Sequence, residues 1–181
     1  AVLTGPEAMD FRRTILTTGS AAIRRKFIGR PAAEIAVAAG ITRPWPIQLI
    51  VVGAGDADVE SATALAREKM APFLSLFTVA DTAAGIALGL QLLAIEGSGH
   101  TAAIHTGSKA SALAYANAMP ASRILVNSPA TQGVIGLTTG LPPSLTLGCG
   151  YFGGNSTNDN VTFTHLRNVK HLAFANTGLQ A

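Results

Sequence analysis

The sequence predicts an α/β fold with a mostly parallel sheet. Between residues 47 and 127, short apolar runs alternate with segments of helical composition, in the order strand, strand, helix, strand, helix, strand. Strands that alternate with helices usually build parallel sheets covered by those helices. After Asn127 the chain becomes rich in Gly, Pro, Ser, Thr and Asn. This composition predicts long ordered loops, and such loops in a compact domain are often functional.

Local signals justify each element in turn. An Ala-rich helix over 33–40 ends at Gly40, and the following prolines stop it because proline lacks an amide N–H. The β-branched run 47–55, closed by glycines, predicts a buried strand. The other predicted elements are a short helix or loop at 56–70, strands at 72–81, 100–106 and 122–127, and helices at 81–97, capped by Asp81, and 107–119.

Composition excludes several functional classes. Hydrophobic residues make up 48% of the 181 residues and charged residues 13%, whereas ordinary soluble domains carry about 25% charge. We therefore expect much of the surface to lie against another molecule, or the chain to be one part of a larger assembly. No apolar run approaches a membrane span, and no signal peptide is visible. The net charge is +3, and the basic residues are scattered along the chain except for a run at 24–30. This pattern predicts solvated surface and no nucleic-acid or membrane partner.

Two motifs invite a functional interpretation that the residues do not support. Gly53 and Gly55 follow a strand, but Asp58 stands where the third glycine of a dinucleotide-binding loop would be, so we expect a strand-ending turn. No His, Cys, Asp or Glu pair has metal-ligand spacing, so no metal site is predicted. His165 and His171 are predicted on a short helix at the surface.

Cys149 is the single cysteine, so no internal disulfide is possible, and this usage fits a reducing, cytoplasmic compartment. It lies between two glycines with no Lys or Arg within ten residues, whereas a reactive thiol usually has a cationic neighbour. We expect a small buried side chain packed where glycines bring two backbones close. From the residues alone, Glu68 favours a surface charge, and His100 fits a ligand contact or a structural role equally well.

Several segments carry a family resemblance. "SRILVNSPATQGVIG", "PPSLTLGCGYFGGNS" and "NVTFTHLRNVKHLA" are similar, in order, to the C-terminal part of CoA-acylating aldehyde dehydrogenases. That group includes the aldehyde half of bifunctional aldehyde–alcohol dehydrogenases and the microcompartment aldehyde dehydrogenases. "REKMAPFLSLFTVAD" and "GSGHTAAIHT" match the same family upstream, and the Ala-rich first segment is also similar. The resemblance covers essentially the whole chain and implies a three-layer aldehyde-dehydrogenase-like catalytic domain.

The resemblance implies an enzyme that oxidises an aldehyde with NAD and passes the acyl group from a cysteine to coenzyme A. Glu68 matches the Glu of a motif similar to "HEKLSP", whose carboxylate approaches the nicotinamide ribose, and Met70 falls where an apolar side chain packs on the nicotinamide. His100 matches the His of "GHT" that faces the catalytic thiol. The resemblance also implies a homo-oligomer, and a bacterial microcompartment is one location that it suggests.

The chain departs from the family in two ways. The family's nucleophile lies in a segment resembling "CASEQS", which the 181 residues do not contain, and the NAD-binding domain is also absent. We therefore expect residues 1–181 to be a single domain, the C-terminal portion of a longer polypeptide, and inactive alone. A degenerate, non-catalytic relative serving as a structural or binding module is the alternative. "GVIGLTTGLPPS" replaces a segment more often like "GGIGDLYNFLPPS", which leaves the aldehyde open.

Overall fold

The computed structural model describes residues 1–175 and divides them into two compact units. The first unit contains Ala1–Ser98 and Thr106–Pro120, and the second contains Gly99–His105 and the residues from Ala121 onward. The chain therefore passes between the units at three points. The prediction of a single domain stays a prediction, and residues 176–181 of that range lie outside the described residues.

A three-stranded parallel sheet forms the centre of the first unit. Its strands are β1 (Val2–Leu3), β2 (Ile50–Gly53) and β3 (Phe73–Leu76), with β2 in the middle. The helices of this unit are α1 (Gly5–Ile15), α2 (Ala32–Ala38), α3 (Asp56–Glu60), α4 (Thr82–Ile95) and α5 (Lys109–Ala118). Phe11 of α1 packs edge-on against Phe73 of β3, with 5.2 Å between ring centroids. The two fully buried rings anchor an apolar core around the sheet.

Two parallel strands organise the second unit. These are β4 (Gly99–Ile104) and β5 (Ala121–Val126), in register from Gly99 opposite Ala121 to Ile104 opposite Val126. The short helix α6 (Ala130–Val134) follows. Beyond it the described chain consists of loops and two 3₁₀ turns, Tyr151–Gly153 and Phe163–Leu166. The predicted long C-terminal loops are thus confirmed.

The predicted α/β class and its parallel pairing are confirmed, with corrections in detail. The strands pair in two sheets, and β1 was not predicted, because two residues are too short to show a period in sequence. The predicted strand 72–81 ends at Leu76, since its partner β2 ends opposite it at Gly53. Among helices, Asp81 caps α4 by accepting the Ala84 N–H at 2.8 Å, as predicted.

The C-terminal histidines are predicted together on a helix, and this is half wrong. His165 lies on the 3₁₀ turn, but the backbone leaves the helical region at Arg167 with ψ of 131°, and His171 lies beyond it in an irregular segment. His165 is only 28% exposed at its side chain and contacts Asp159.

No helix within the described part of the chain is long and apolar enough to cross a membrane.

Candidate functional site

Glu68 and Met70 line the same cleft of the first unit. The cleft has a volume of about 200 Å³. Apolar side chains and charged groups both line it, and the charged groups come from the 67–69 segment and from the residue after α4. The lining residues are Ala21, Ala22, Ile23, Ile28, Ala64, Arg67, Glu68, Lys69, Met70 and Glu96. Glu68 is exposed, and 67% of Met70 is exposed. The cleft therefore offers a carboxylate and a solvent-facing thioether side by side.

Met70 adopts an unusual backbone conformation for its type. Its φ is 44°, in the left-handed region that costs a residue with a Cβ about 1–2 kcal/mol. The Met70 carbonyl accepts a hydrogen bond from the Gly29 N–H at 2.9 Å, which helps to hold this conformation. The turn points the Met70 side chain outward into the cleft, whereas its neighbour Ala71 packs against the core. Strain held by surrounding contacts is typical of ligand-binding segments.

Lys69 directly follows Glu68 in the sequence, is half-buried and points inward. Its Nζ donates to the carbonyl oxygens of Leu65 at 2.7 Å and Arg67 at 2.6 Å. Burial lowers the pKa of Lys69 to about 8, against the opposing attraction of the Glu96 and Asp58 carboxylates. The Lys69 ammonium group is therefore engaged by backbone carbonyls on the N-terminal side of Glu68.

Asp58 occupies the position where a dinucleotide-binding loop would have its third glycine. Its carboxylate is buried and accepts hydrogen bonds from both Arg12 Nη atoms at 2.8 and 2.9 Å, from the Gly55 N–H at 3.1 Å and from Thr63 Oγ1 at 2.9 Å. Burial opposes ionisation, but these donors outweigh it and hold the pKa of Asp58 below its usual range. The acid at this position serves as a structural anchor that joins α1 to the turn.

His100 belongs to the second unit. It is the exposed second residue of β4, and its Nδ1 lies 2.9 Å from Thr101 Oγ1. Gly99, directly before it, has φ of 82° and leaves no room for a side chain. A Cβ there would lie 2.6 Å from the Gly153 amide nitrogen and would collide with the Cys149 carbonyl. His100 thus emerges where the strand touches the loop that contains Cys149.

The loop Gly148–Asn155 is built on close backbone contacts. Gly148 and Gly150 donate their N–H groups to the carbonyls of Asp159 and Thr157, each at 2.9 Å. The Cys149 N–H donates to Asn155 Oδ1 at 2.8 Å. The predicted close approach of two backbones at the glycines is confirmed. The predicted burial of Cys149 is only partly right, because the residue is half-buried.

Arg123 is a residue of this loop system that sequence reasoning missed. It is only 4% exposed, and both of its Nη atoms donate to the Gly148 carbonyl, at 2.8 and 2.5 Å. Nη1 also donates to the Asn158 carbonyl at 3.0 Å. A count of cations along the sequence therefore overlooked one that the fold places beside Cys149. The signal available in sequence was an arginine inside an otherwise apolar strand.

Comparison with known proteins gives the context for these features. No protein-family model matches the chain. It is 35% identical over 169 residues to the acetylating succinate-semialdehyde dehydrogenase of Clostridium kluyveri. The aligned segment covers 92% of this chain and 36% of the relative. It is 35% identical over 178 residues to the bifunctional aldehyde-alcohol dehydrogenase of Escherichia coli, covering 95% of this chain and 19% of the relative.

Solved structures agree with the sequence relatives. The acetylating aldehyde dehydrogenase of Geobacillus thermoglucosidasius superposes on all of this chain with a TM-score of 0.86 and 35% identity, and 39% of that chain is covered. Over nearly its whole length the chain is similar to members of the acylating aldehyde dehydrogenase family. It spans less than two fifths of the length of these family members. A family-like fold also occurs in the propionaldehyde dehydrogenase of Rhodopseudomonas palustris, solved with propionyl-CoA, at 20% identity and a TM-score of 0.68.

The structure brings together two of the three site residues expected from the acylating family. Glu68 and Met70 share one cleft, and His100 is a residue of the other unit. Glu96, which shares the cleft with Glu68, was not singled out in the sequence. It lies 28 positions from Glu68, and the family motif around "GHT" does not point to it.

Proposed function

We propose that these residues form part of an acylating aldehyde dehydrogenase that oxidises an aldehyde with NAD and delivers the acyl group to coenzyme A. The observation that carries this proposal is the 35% identity to acetylating dehydrogenases over more than nine tenths of the chain. The substrates of the proposed enzyme are a small aldehyde and coenzyme A. We further propose a homo-oligomeric assembly, or one with the remainder of the polypeptide, in the cytoplasm or in a bacterial microcompartment.

The cleft of the first unit fits the nicotinamide end of the cofactor. NAD, when bound, supplies the hydride acceptor for the aldehyde carbon. The exposed Glu68 carboxylate can accept hydrogen bonds from two adjacent ribose hydroxyls, and the exposed Met70 side chain can pack on a flat ring. These two contacts orient the cofactor. They are made in the ground state, so we expect them to govern KM for NAD more than kcat.

His100 is proposed as the group that assists transfer to coenzyme A. Its exposed imidazole belongs to the second residue of β4. It directly follows Gly99, which lies against the Cys149 loop. Such an imidazole can take the thiol proton of coenzyme A as the sulfur attacks the acyl carbon, or orient the thioester carbonyl. His100 would then affect the CoA-dependent half of turnover and leave NAD binding unchanged.

We propose that the acyl group is carried by a cysteine other than Cys149. The Cys149 backbone N–H donates to Asn155 Oδ1, and its carbonyl accepts from the Gly153 N–H at 3.2 Å. These contacts support a structural role for the loop. The 181 residues tested alone are then expected to be inactive, as the family resemblance already suggested.

The test uses the complete gene product that contains these residues. NADH formation is measured with a series of short aldehydes, with and without coenzyme A, and with NAD or NADP. Glu68→Gln should raise KM for NAD, and His100→Ala should slow CoA-dependent turnover. Glu60→Gln, an exposed acid on α3, is the matched control. Absence of NADH with every aldehyde would support the alternative, a non-catalytic structural or binding relative.

A further inference from the structure

We propose that Glu96 is a positioning residue that sets Glu68 for its contact with the cofactor. The proposal rests on the function proposed for Glu68. It begins from one contact: Glu96 Oε2 accepts the backbone N–H of Glu68 at 2.9 Å, across 28 positions of sequence. Both residues line the same cleft of the first unit. Glu96 thereby fixes the point from which the Glu68 side chain projects.

A carboxylate at the position of Glu96 is electrostatically unfavourable unless another contact stabilises it. Glu96 directly follows α4 as its C-cap, with extended backbone at φ of −162° and ψ of 141°. The C-terminal end of a helix carries a partial negative charge and favours cations, so an acid there is destabilising. The helix itself gives this carboxylate no stabilising partner. The hydrogen bond from the Glu68 N–H offsets the repulsion between the carboxylate and the C-terminal end of the helix.

Glu96 also acts on the same segment through Lys69. The Lys69 ammonium clamps the carbonyls of Leu65 and Arg67, which lie on the N-terminal side of Glu68. The Glu96 carboxylate attracts that buried ammonium and favours its charged form. Glu96 therefore holds Glu68 directly, at its N–H, and indirectly, through the cation that fixes the preceding turn.

The backbone contacts leave the Glu68 side chain available. The Gly29 N–H holds the segment from its other end at the Met70 carbonyl, 2.9 Å away. Within residues 1–175, neither a hydrogen bond nor an ion pair engages the Glu68 carboxylate. The segment is thus held by its main chain at three places, with the carboxylate directed to solvent. A site organised in this way presents its ligand-binding group at a fixed location.

The experiment measures NAD kinetics, NADH binding by fluorescence and thermal stability in the complete gene product. Glu96→Ala removes the acceptor and the charge, and Glu96→Gln keeps an acceptor oxygen. We expect Glu96→Ala to raise KM for NAD about three- to tenfold, the scale of one hydrogen bond, with kcat within about twofold. Glu96→Gln should recover most of the affinity. Glu60→Gln is again the control for a lost surface acid.

A double variant separates this inference from the proposed function. If Glu96 acts through Glu68, Glu96→Ala should have little further effect on KM for NAD in a Glu68→Gln background. An unchanged KM in Glu96→Ala, when Glu68→Gln raises it, overturns the role of Glu96 and leaves the proposed function standing. An equal effect of Glu96→Ala in both backgrounds also overturns it. If Glu68→Gln leaves NAD kinetics unchanged, the role proposed for Glu68 fails instead. Should Glu96→Ala not fold, Glu96→Met, which removes the acceptor but keeps the length of the side chain, takes its place in the same comparisons.

Discussion

At the scale of single residues, Lys69 shows how a cation can serve the fold beneath a ligand-facing segment. Charged residues are rarely buried unless they are paired. The structure places the Lys69 Nζ against two carbonyl oxygens and near two carboxylates, which makes partial burial tolerable. One of these two acceptors, the Leu65 carbonyl, also accepts a hydrogen bond from Ser75 Oγ at 2.5 Å.

The titration of Lys69 gives a prediction for stability against pH. Its pKa is about 8 in the folded protein and near 10.5 when unfolded, so between these values the unfolded chain binds an additional proton. The free energy of unfolding should therefore rise with pH across this window. Lys69→Met should lose that rise, as measured by urea denaturation at several pH values. An identical pH slope in both proteins would contradict the lowered pKa.

The role of Cys149 can be tested by a single atom change. Cys149→Ala keeps the backbone contacts of the loop and removes only a half-buried sulfur. We expect most of the CoA-acylating activity of the complete gene product to remain, with a loss of stability of about 1 kcal/mol or less. Activity and thermal unfolding are measured together. Complete loss of acylation with unchanged unfolding would show that Cys149 is the nucleophile.

Residue patterns and the resemblance selected Glu68, Met70 and His100, and the fold places the first two in one cleft. Their functional roles stay predictions. Glu96 and Arg123 were missed because their importance lies in contacts with residues 28 and 25 positions away. No local period or motif encodes a contact of that length.

At the scale of elements, the glycine-rich loop depends on the absence of side chains. A Cβ on Gly148 would collide with the Thr157 carbonyl, although its φ is ordinary, so the constraint is steric contact alone. Gly148→Ala should destabilise the protein by about 1–3 kcal/mol, as overpacking does. Gly140→Ala is the control, because a Cβ there meets nothing within 4 Å. Thermal unfolding of both variants checks this, and equal stability would contradict it.

The turn between β2 and α3 is held by the pair of buried Asp58 and partly exposed Arg12. Asp58→Asn should cost about 1.5–3 kcal/mol, because it weakens the charge-assisted hydrogen bonds from the Arg12 guanidinium. Since the folded pKa of Asp58 lies below the ordinary 3.8, its contribution is present above that pH and is lost as pH falls further. Asp56→Asn, an exposed acid on the same helix, should cost little. Denaturant unfolding at neutral and acid pH measures both effects.

At the scale of the whole molecule, the relatives frame what the chain does. They match nearly all of it, while the chain spans less than two fifths of their length. We expect the isolated 181 residues to give no NADH from aldehyde and coenzyme A, as checked by absorbance alongside the complete gene product. Turnover by the isolated chain that disappears in Cys149→Ala would contradict both this expectation and the structural interpretation of the loop.

The α/β class, the parallel pairing, the cap at Asp81 and the relationship to acylating aldehyde dehydrogenases could all be predicted from the amino-acid sequence. These features depend on local periodicity, turn residues and family motifs, which are written along the chain. Packing in three dimensions was needed to find that Asp58 anchors a turn, that Arg123 braces the Cys149 loop and that Glu96 holds Glu68. Each of these is a hydrogen bond between residues distant in sequence, and such bonds exist only once packing has brought the donor and acceptor together.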